Sequence, residues 1–223
     1  MLADDLEEIY HRLLKHFGPQ HWWPGDTPFE IMVGAILTQN TNWQNVEKAL
    51  ANLKKAGVLS LPALADLPVE RLAEYIRPAG YYKIKAGRLQ NLFAMIAEHW
   101  DNDLEYLLQQ PVAVLREQLL SVKGIGPETA DSMVLYAAEQ PVFVVDTYTH
   151  RILFRHELIA EDADYFELQE VFTDNLQEDV SLFNEYHALL VQVGKNFCKK
   201  SKPKCGSCPL AGIGGVKEYI PCF

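Results

Sequence analysis

The chain has 223 residues, is 48% hydrophobic and carries a net charge of −10, enough apolar material to pack one large domain or two small ones. No apolar run approaches the ~20 residues of a membrane span, and the acidic, amphipathic start MLADDLEEIY is unlike a secretory signal, so a cytosolic protein with no membrane association is expected. The acidic total disfavours a polyanion partner. The charge is uneven, however, with eight acids and no Lys or Arg from Glu161 to Asp179 and five Lys and no acid from Lys195 to Lys204, so one face could still meet phosphates.

In chain order, Ala3 to Phe17 places Leu6, Ile9, Leu13 and Leu14 at helical spacing. His21-Trp22-Trp23-Pro24-Gly25 reads as a rigid aromatic loop. Thr27-Pro28-Phe29-Glu30 is a helix start, with Thr27 as cap, Pro28 in the first turn and Glu30 completing a capping box. That helix is expected to reach about Gln39, and the next to span Trp43 to Lys55 and stop at Gly57. Further helices are expected at 68–77, 83–99, 111–120, 127–139, 147–157, 163–177 and 181–197. Arg77, Lys83, Lys85 and Arg88 form a second basic cluster. Only Pro141 to Val145 reads as extended. The expected fold class is all-α, with about ten short helices.

Leu119 to Ala130 reads as a helix end, a Gly124-Ile125-Gly126 turn and a new helix starting at Pro127. The two glycines allow positive φ and close backbone approach. The turn and the following helix N-terminus together attract phosphate without reading bases, although a plain helical hairpin would use the same turn. After it, Val144-Val145-Asp146-Thr147 ends an extended stretch at a helix start, where Asp146 suits an N-cap. All four cysteines, Cys198, Cys205, Cys208 and Cys222, fall in the last 26 residues. In a cytosolic chain such a cluster points to a metal site rather than disulfides.

The ordered combination of this hairpin with Val-Asp-Thr-x-x-x-Arg downstream resembles the helix-hairpin-helix DNA glycosylases of the endonuclease III superfamily, from Phe29 to Cys208. The resemblance implies a two-lobed fold, with a helical barrel at 20–140 and a cluster domain from 1–19 plus 141–223, acting as a monomer on double-stranded DNA that contains a damaged base. Asp146 takes the catalytic position, where a fixed carboxylate supports oxocarbenium-like charge or activates water. The base must first be flipped into a pocket. Lys123, Gly124, Ile125 and Gly126 would form the backbone grip. Gln39 would fill the space left by the flipped nucleotide, and Tyr81 would be the wedge, where the family usually has Leu.

Members that also cut the strand carry a Lys nucleophile where this chain has Glu128, and Glu cannot form a Schiff base. A monofunctional enzyme is therefore expected. Trp22-Trp23-Pro24 with Leu-Thr-Gln-Asn-Thr-x-aromatic is similar to the type III 3-methyladenine DNA glycosylases. That likeness makes Trp22, Trp23 and Trp43 the base pocket and an alkylated purine such as 3-methyladenine the substrate, since indole faces attract a cationic base. The alternative is an endonuclease III-like glycosylase for oxidised pyrimidine, uracil or a mismatched base, with or without lyase activity. A non-catalytic binding module is a further alternative.

The Cys198-x6-Cys205-x2-Cys208 spacing matches the endonuclease III cluster loop, but the gap to Cys222 is longer than the family's. The resemblance implies a 4Fe–4S cluster on these four thiolates, with zinc as the alternative.

Overall fold

The computed structural model describes residues 2–214. Cys222, expected as the fourth thiolate, lies outside the described residues. Among these residues there is no strand: α-helices and two short 3-10 turns carry all the regular structure. No described helix is long and apolar enough to cross a membrane. The chain divides into two compact units, one made of the residues up to Trp22 with those from Pro141 onward, the other of Trp23–Gln140.

The first unit is built on α1 (Leu2–Phe17), α10 (Thr147–Arg155), α11 (Tyr165–Thr173) and α12 (Val180–Asn196). Leu6, Ile9 and Leu13 line the buried stripe of α1, which packs on α12. Phe143 stacks on Phe172 with ring centroids 3.8 Å apart, and Phe183 and Tyr186 meet the pair edge-on. Aromatic pairs favour such geometries. The fully buried Tyr186 donates its hydroxyl to the Leu6 carbonyl at 2.8 Å, which satisfies its one polar atom and ties α1 to α12. Pro141 to Val145, expected to be extended, forms neither helix nor strand. Its Phe143 carbonyl is met instead by the Gln169 side chain at 2.6 Å.

The second unit runs through α2 (Pro28–Thr38), α3 (Trp43–Lys55), α4 (Leu61–Ala65), α5 (Val69–Tyr75), α6 (Tyr82–Trp100), α7 (Leu104–Leu108), α8 (Val112–Ser121) and α9 (Pro127–Tyr136). α2 is apolar on every side and buried from Phe29 to Leu37, as expected for a central helix. α3, α6 and α9 pack around it. The capping box at its start is half formed. Thr27 accepts the Glu30 N–H, but the Glu30 carboxylate accepts the Asp26 N–H and pairs with Lys54 of α3 at 2.7 Å, because that cation offers it more than a neutral amide does. α4 and α7, five residues each, were not expected.

Candidate active site

In the Trp23–Gln140 unit, α8 and α9 form the hairpin. α8 ends at Ser121, Gly124 takes φ +100°, and the Ile125 N–H closes the turn on the Val122 carbonyl at 3.0 Å. Ile125 is buried, anchoring the turn, while Lys123, Gly124 and Gly126 are exposed. Gly126 is the exposed N-cap of α9 and offers it no side-chain cap, which leaves the start of that helix uncapped, as an anion site requires. Arg116 and the fully buried Asp131 clamp the two helices, with Nε–Oδ1 at 2.6 Å and Nη2–Oδ2 at 3.3 Å. Glu128 is exposed on the first turn of α9.

Gln39 sits at the C-terminus of α2 and is tied to this hairpin. Its Nε2 donates to the Gly124 carbonyl at 3.2 Å and to Thr129 Oγ1 at 3.0 Å, and its Oε1 accepts from Arg88. Tyr81 follows Gly80 in a left-handed backbone, φ +47°, and is 69% exposed. A tyrosine held there with φ > 0 is a strained position, and it turns the ring outward at the start of α6.

Lys85 departs from its place in the expected basic cluster. It is buried to 1% exposure, with Nζ donating to the carbonyls of Leu37 and Ala79, each at 2.8 Å. Burial, with help from the charge of Arg88, lowers its pKa to about 8. It therefore caps backbone and is withdrawn from any phosphate.

Trp23 and Trp43 meet edge to face with ring centroids 5.2 Å apart, and Tyr136 of α9 lies 5.2 Å from Trp23 on another side. Trp43 Nε1 donates to Glu47. Tyr136 was not singled out from the sequence. Trp22 belongs to the first unit, where the Lys195 ammonium lies 5.8 Å from its ring centroid. Trp23 and Trp43, two of the three expected pocket residues, are thus in contact with each other.

Asp146, in the first unit, is the N-cap of α10. Its Oδ1 accepts the Thr149 N–H at 2.8 Å and the Thr149 hydroxyl at 2.9 Å. Its Oδ2 lies 3.8 Å from Nε2 of the buried His187 on α12, an electrostatic distance rather than a hydrogen bond. Burial pushes the carboxyl up, but His187 and the two Thr149 donors outweigh it and hold Asp146 below the usual carboxylate range. Lys195, also on α12, is lowered by burial, a shift opposed by the charge of Asp146. α10 and α12 approach closely at Gly194, where a Cβ would lie 2.3 Å from Tyr148 Cδ1. One Asp146 oxygen is therefore fixed by its own helix, and the other is turned towards an imidazole.

Cys198, Cys205 and Cys208 are free thiols on the loop after α12. Burial raises the Cys208 thiol, and charge on Cys198 and Cys205 raises it further, so the three sulfurs sense one another. Arg155 donates to Cys198 Sγ at 3.3 Å and to the carbonyls of Lys199 and Lys200. Among the described residues no three His, Cys, Asp or Glu side chains gather closely enough to hold a metal ion. The three thiolates suit a sulfur-ligated centre in chemical kind, but the described residues do not bring them together as a ligand group.

A family model described as the HhH-GPD superfamily base excision DNA repair protein matches residues 33–178. The chain belongs to this superfamily. A Methanocaldococcus jannaschii protein whose name provisionally assigns it as a DNA repair glycosylase is 46% identical over 206 residues, 92% of this chain and 93% of that one. Endonuclease III of Thermotoga maritima is 28% identical over 91% of this chain and 89% of its own. Among solved structures, the H. pylori 3-methyladenine DNA glycosylase bound to 1,N6-ethenoadenine aligns with a TM-score of 0.74 and 32% identity, covering 87% of this chain and 97% of that one. An endonuclease III–DNA complex aligns at TM-score 0.81 with 23% identity, a likeness of fold.

This HhH-GPD protein is accordingly an all-helical DNA repair glycosylase, a hydrolase of N-glycosyl bonds. The sequence marks neither His187, nor the bond of Arg88 to Gln39, nor the burial of Lys85. His187 carries no motif of its own, and Arg88 and Lys85 looked like members of a surface charge run.

Proposed function

We propose that the protein is a monofunctional glycosylase that removes an alkylated purine, flipped from duplex DNA, by hydrolysis at Asp146. The observation that carries this is the Asp146 carboxylate itself. It is held below the usual carboxylate range, fixed by Thr149 and set 3.8 Å from His187. Such an anion is ionised at neutral pH and pre-oriented, so it can stabilise positive charge growing on the sugar without reorganising. The hairpin grips a phosphate through Lys123, the N–H groups around Gly124 and Gly126, and the turn that buried Ile125 anchors. Gln39 and Tyr81 enter the duplex.

Trp23 and Trp43, partly exposed and packed edge to face, supply aromatic surface for a purine over the buried Tyr136, and the H. pylori relative, named for 3-methyladenine, supports a purine over a pyrimidine. Glu128 on the first turn of α9 supports base removal without strand scission, since a carboxylate forms no Schiff base. The likeness to endonuclease III of Thermotoga maritima favours a second reading, an endonuclease III-like glycosylase for an oxidised pyrimidine, uracil or a mismatched base, with or without lyase activity.

Cys198, Cys205 and Cys208, with Cys222 from outside the described residues, would hold a 4Fe–4S cluster, which ties the basic loop into a fixed shape when bound. Iron and acid-labile sulfide in purified protein, with visible absorbance, are expected; stoichiometric zinc would replace this assignment.

A panel of duplexes carrying 3-methyladenine, 1,N6-ethenoadenine, thymine glycol or uracil tests the substrate. Release of the alkylated purines with strands intact until alkali is added is expected. Preferential release of thymine glycol or uracil would install the second reading, and a robust borohydride-trapped adduct would overturn the monofunctional one.

A further inference from the structure

α6 carries a row of polar side chains at intervals of three residues, Lys85, Arg88 and Asn91, which therefore follow one another along one side of the helix. Each makes a bond to a segment that the proposed function places against DNA. Lys85 holds the carbonyls of Leu37 and Ala79, two residues before Gln39 and Tyr81 respectively. Asn91 donates to the Lys123 carbonyl at 2.9 Å. Arg88, between them, donates to Gln39 Oε1, and its stem lies so close over the turn that a Cβ on Gly124 would fall 2.6 Å from Arg88 Cγ. The glycine at position 124 thus leaves room for Arg88 as well as allowing its positive φ.

We infer that Arg88 is a positioning residue for base excision: it fixes the Gln39 amide against the hairpin, so that the hairpin's grip on the backbone sets where Gln39 stands in the duplex. This rests on the reading that Gln39 enters the duplex and the hairpin holds phosphate, not on which lesion is excised. The chemistry suits the task. A guanidinium bond to an amide oxygen is charge-assisted and directional, and the Gln39 amide nitrogen is spent on the Gly124 carbonyl and Thr129. Both polar atoms of that side chain's planar end, Oε1 and Nε2, are thereby oriented before DNA arrives. Loss of Arg88 frees the carbonyl end, and the side chain regains rotamers that binding must then remove.

The test is a double-mutant cycle in the full-length protein with Arg88→Met, Gln39→Ala and both. Binding is measured to a duplex containing a tetrahydrofuran abasic analogue and to the same duplex undamaged, across a salt series, with melting temperature followed in parallel. Each single substitution is expected to cut the preference for the abasic duplex by about 10-fold, a loss typical of one charge-assisted contact. The double variant should lose no more than either single, because Arg88 works through Gln39. Binding to undamaged duplex and its salt dependence should stay as in the parent. Arg88→Gln retains an N–H donor and is expected to fall between parent and Arg88→Met, which guards against misfolding in one variant.

Losses that add in the double variant would overturn the inference, as would equal weakening on both duplexes. A salt slope lower by about 0.9 in Arg88→Met would also overturn it and make Arg88 a phosphate contact. If Gln39→Ala alone leaves the preference intact, the role of Gln39 in the duplex fails, and Arg88 with it. If Gln39→Ala loses the preference and Arg88→Met keeps it, only the role of Arg88 fails.

Discussion

Lys85→Met separates the energetics of the buried amine from its bonds. The substitution keeps the long apolar stem and removes two donors from the Leu37 and Ala79 carbonyls. Each buried carbonyl left unmet costs about 1–3 kcal/mol. Against this, lowering the amine from its ordinary 10.5 to about 8 corresponds to about 3 kcal/mol spent on keeping it charged below that pH. At pH 7 the two effects oppose each other, and the variant is expected to be destabilised by no more than about 3 kcal/mol.

The sign of the pH dependence is decisive. Below pH 8 both folded and unfolded chains carry the proton, and the full penalty is present. Between pH 8 and 10.5 the unfolded chain binds more protons at Lys85 than the folded one, so parent stability rises with pH. The variant lacks this contribution. Urea unfolding of both proteins from pH 7 to 10.5 should therefore show the parent's advantage growing by up to about 3 kcal/mol. An advantage independent of pH would refute the reasoning, since it would mean that burial does not disfavour the ammonium.

Two further substitutions probe the supports of the site. Asp131→Ala leaves the Arg116 guanidinium without its bidentate partner inside the hairpin and should cost about 3–5 kcal/mol in chemical denaturation; a loss under about 1 kcal/mol would show that water reaches the pair. Gly194→Ala forces a methyl to within 2.3 Å of Tyr148 Cδ1 between α10 and α12, and about 1–3 kcal/mol of overpacking is expected. Excision should slow with it, because α10 carries Asp146; unchanged stability and rate would show that the two helices separate freely.

Much of this fold is legible where a residue pattern has one physical solution. The run from Phe29 to Leu37, apolar but for Glu30, reads as a buried helix because Thr27 and Pro28 mark a helix start. Gly124 marks the turn, because few other residues take the left-handed backbone and the close approach of Arg88 found there, whereas Gly126 is extended. Asp146 is legible as an N-cap, and the structure adds the Thr149 hydroxyl and His187 to its surroundings. Depth is not legible in a charge run. Lys85 reads like Lys83 in sequence, yet one is buried and the other exposed. α4 and α7 are too short to show a period of 3.6 residues. The half-made capping box has a related cause: Glu30 answers to Lys54, which no local pattern reveals. Trp22 and Trp23 are adjacent in sequence but take their observed partners, Lys195 and Trp43, from different units.

The proposed chemistry depends on the carboxylate of Asp146, which single-turnover excision by Asp146→Asn isolates. Asn retains an oxygen for the Thr149 N–H and hydroxyl that Asp146 Oδ1 now accepts, so the helix start and DNA binding should survive. The charge that offsets the forming oxocarbenium ion is gone, and base release should fall by about 100-fold or more. In the parent, excision should show no acid limb from Asp146 until pH falls below the usual carboxylate range, near 4. Release of base by Asp146→Asn at close to the parental rate, with binding intact, would contradict the central claim.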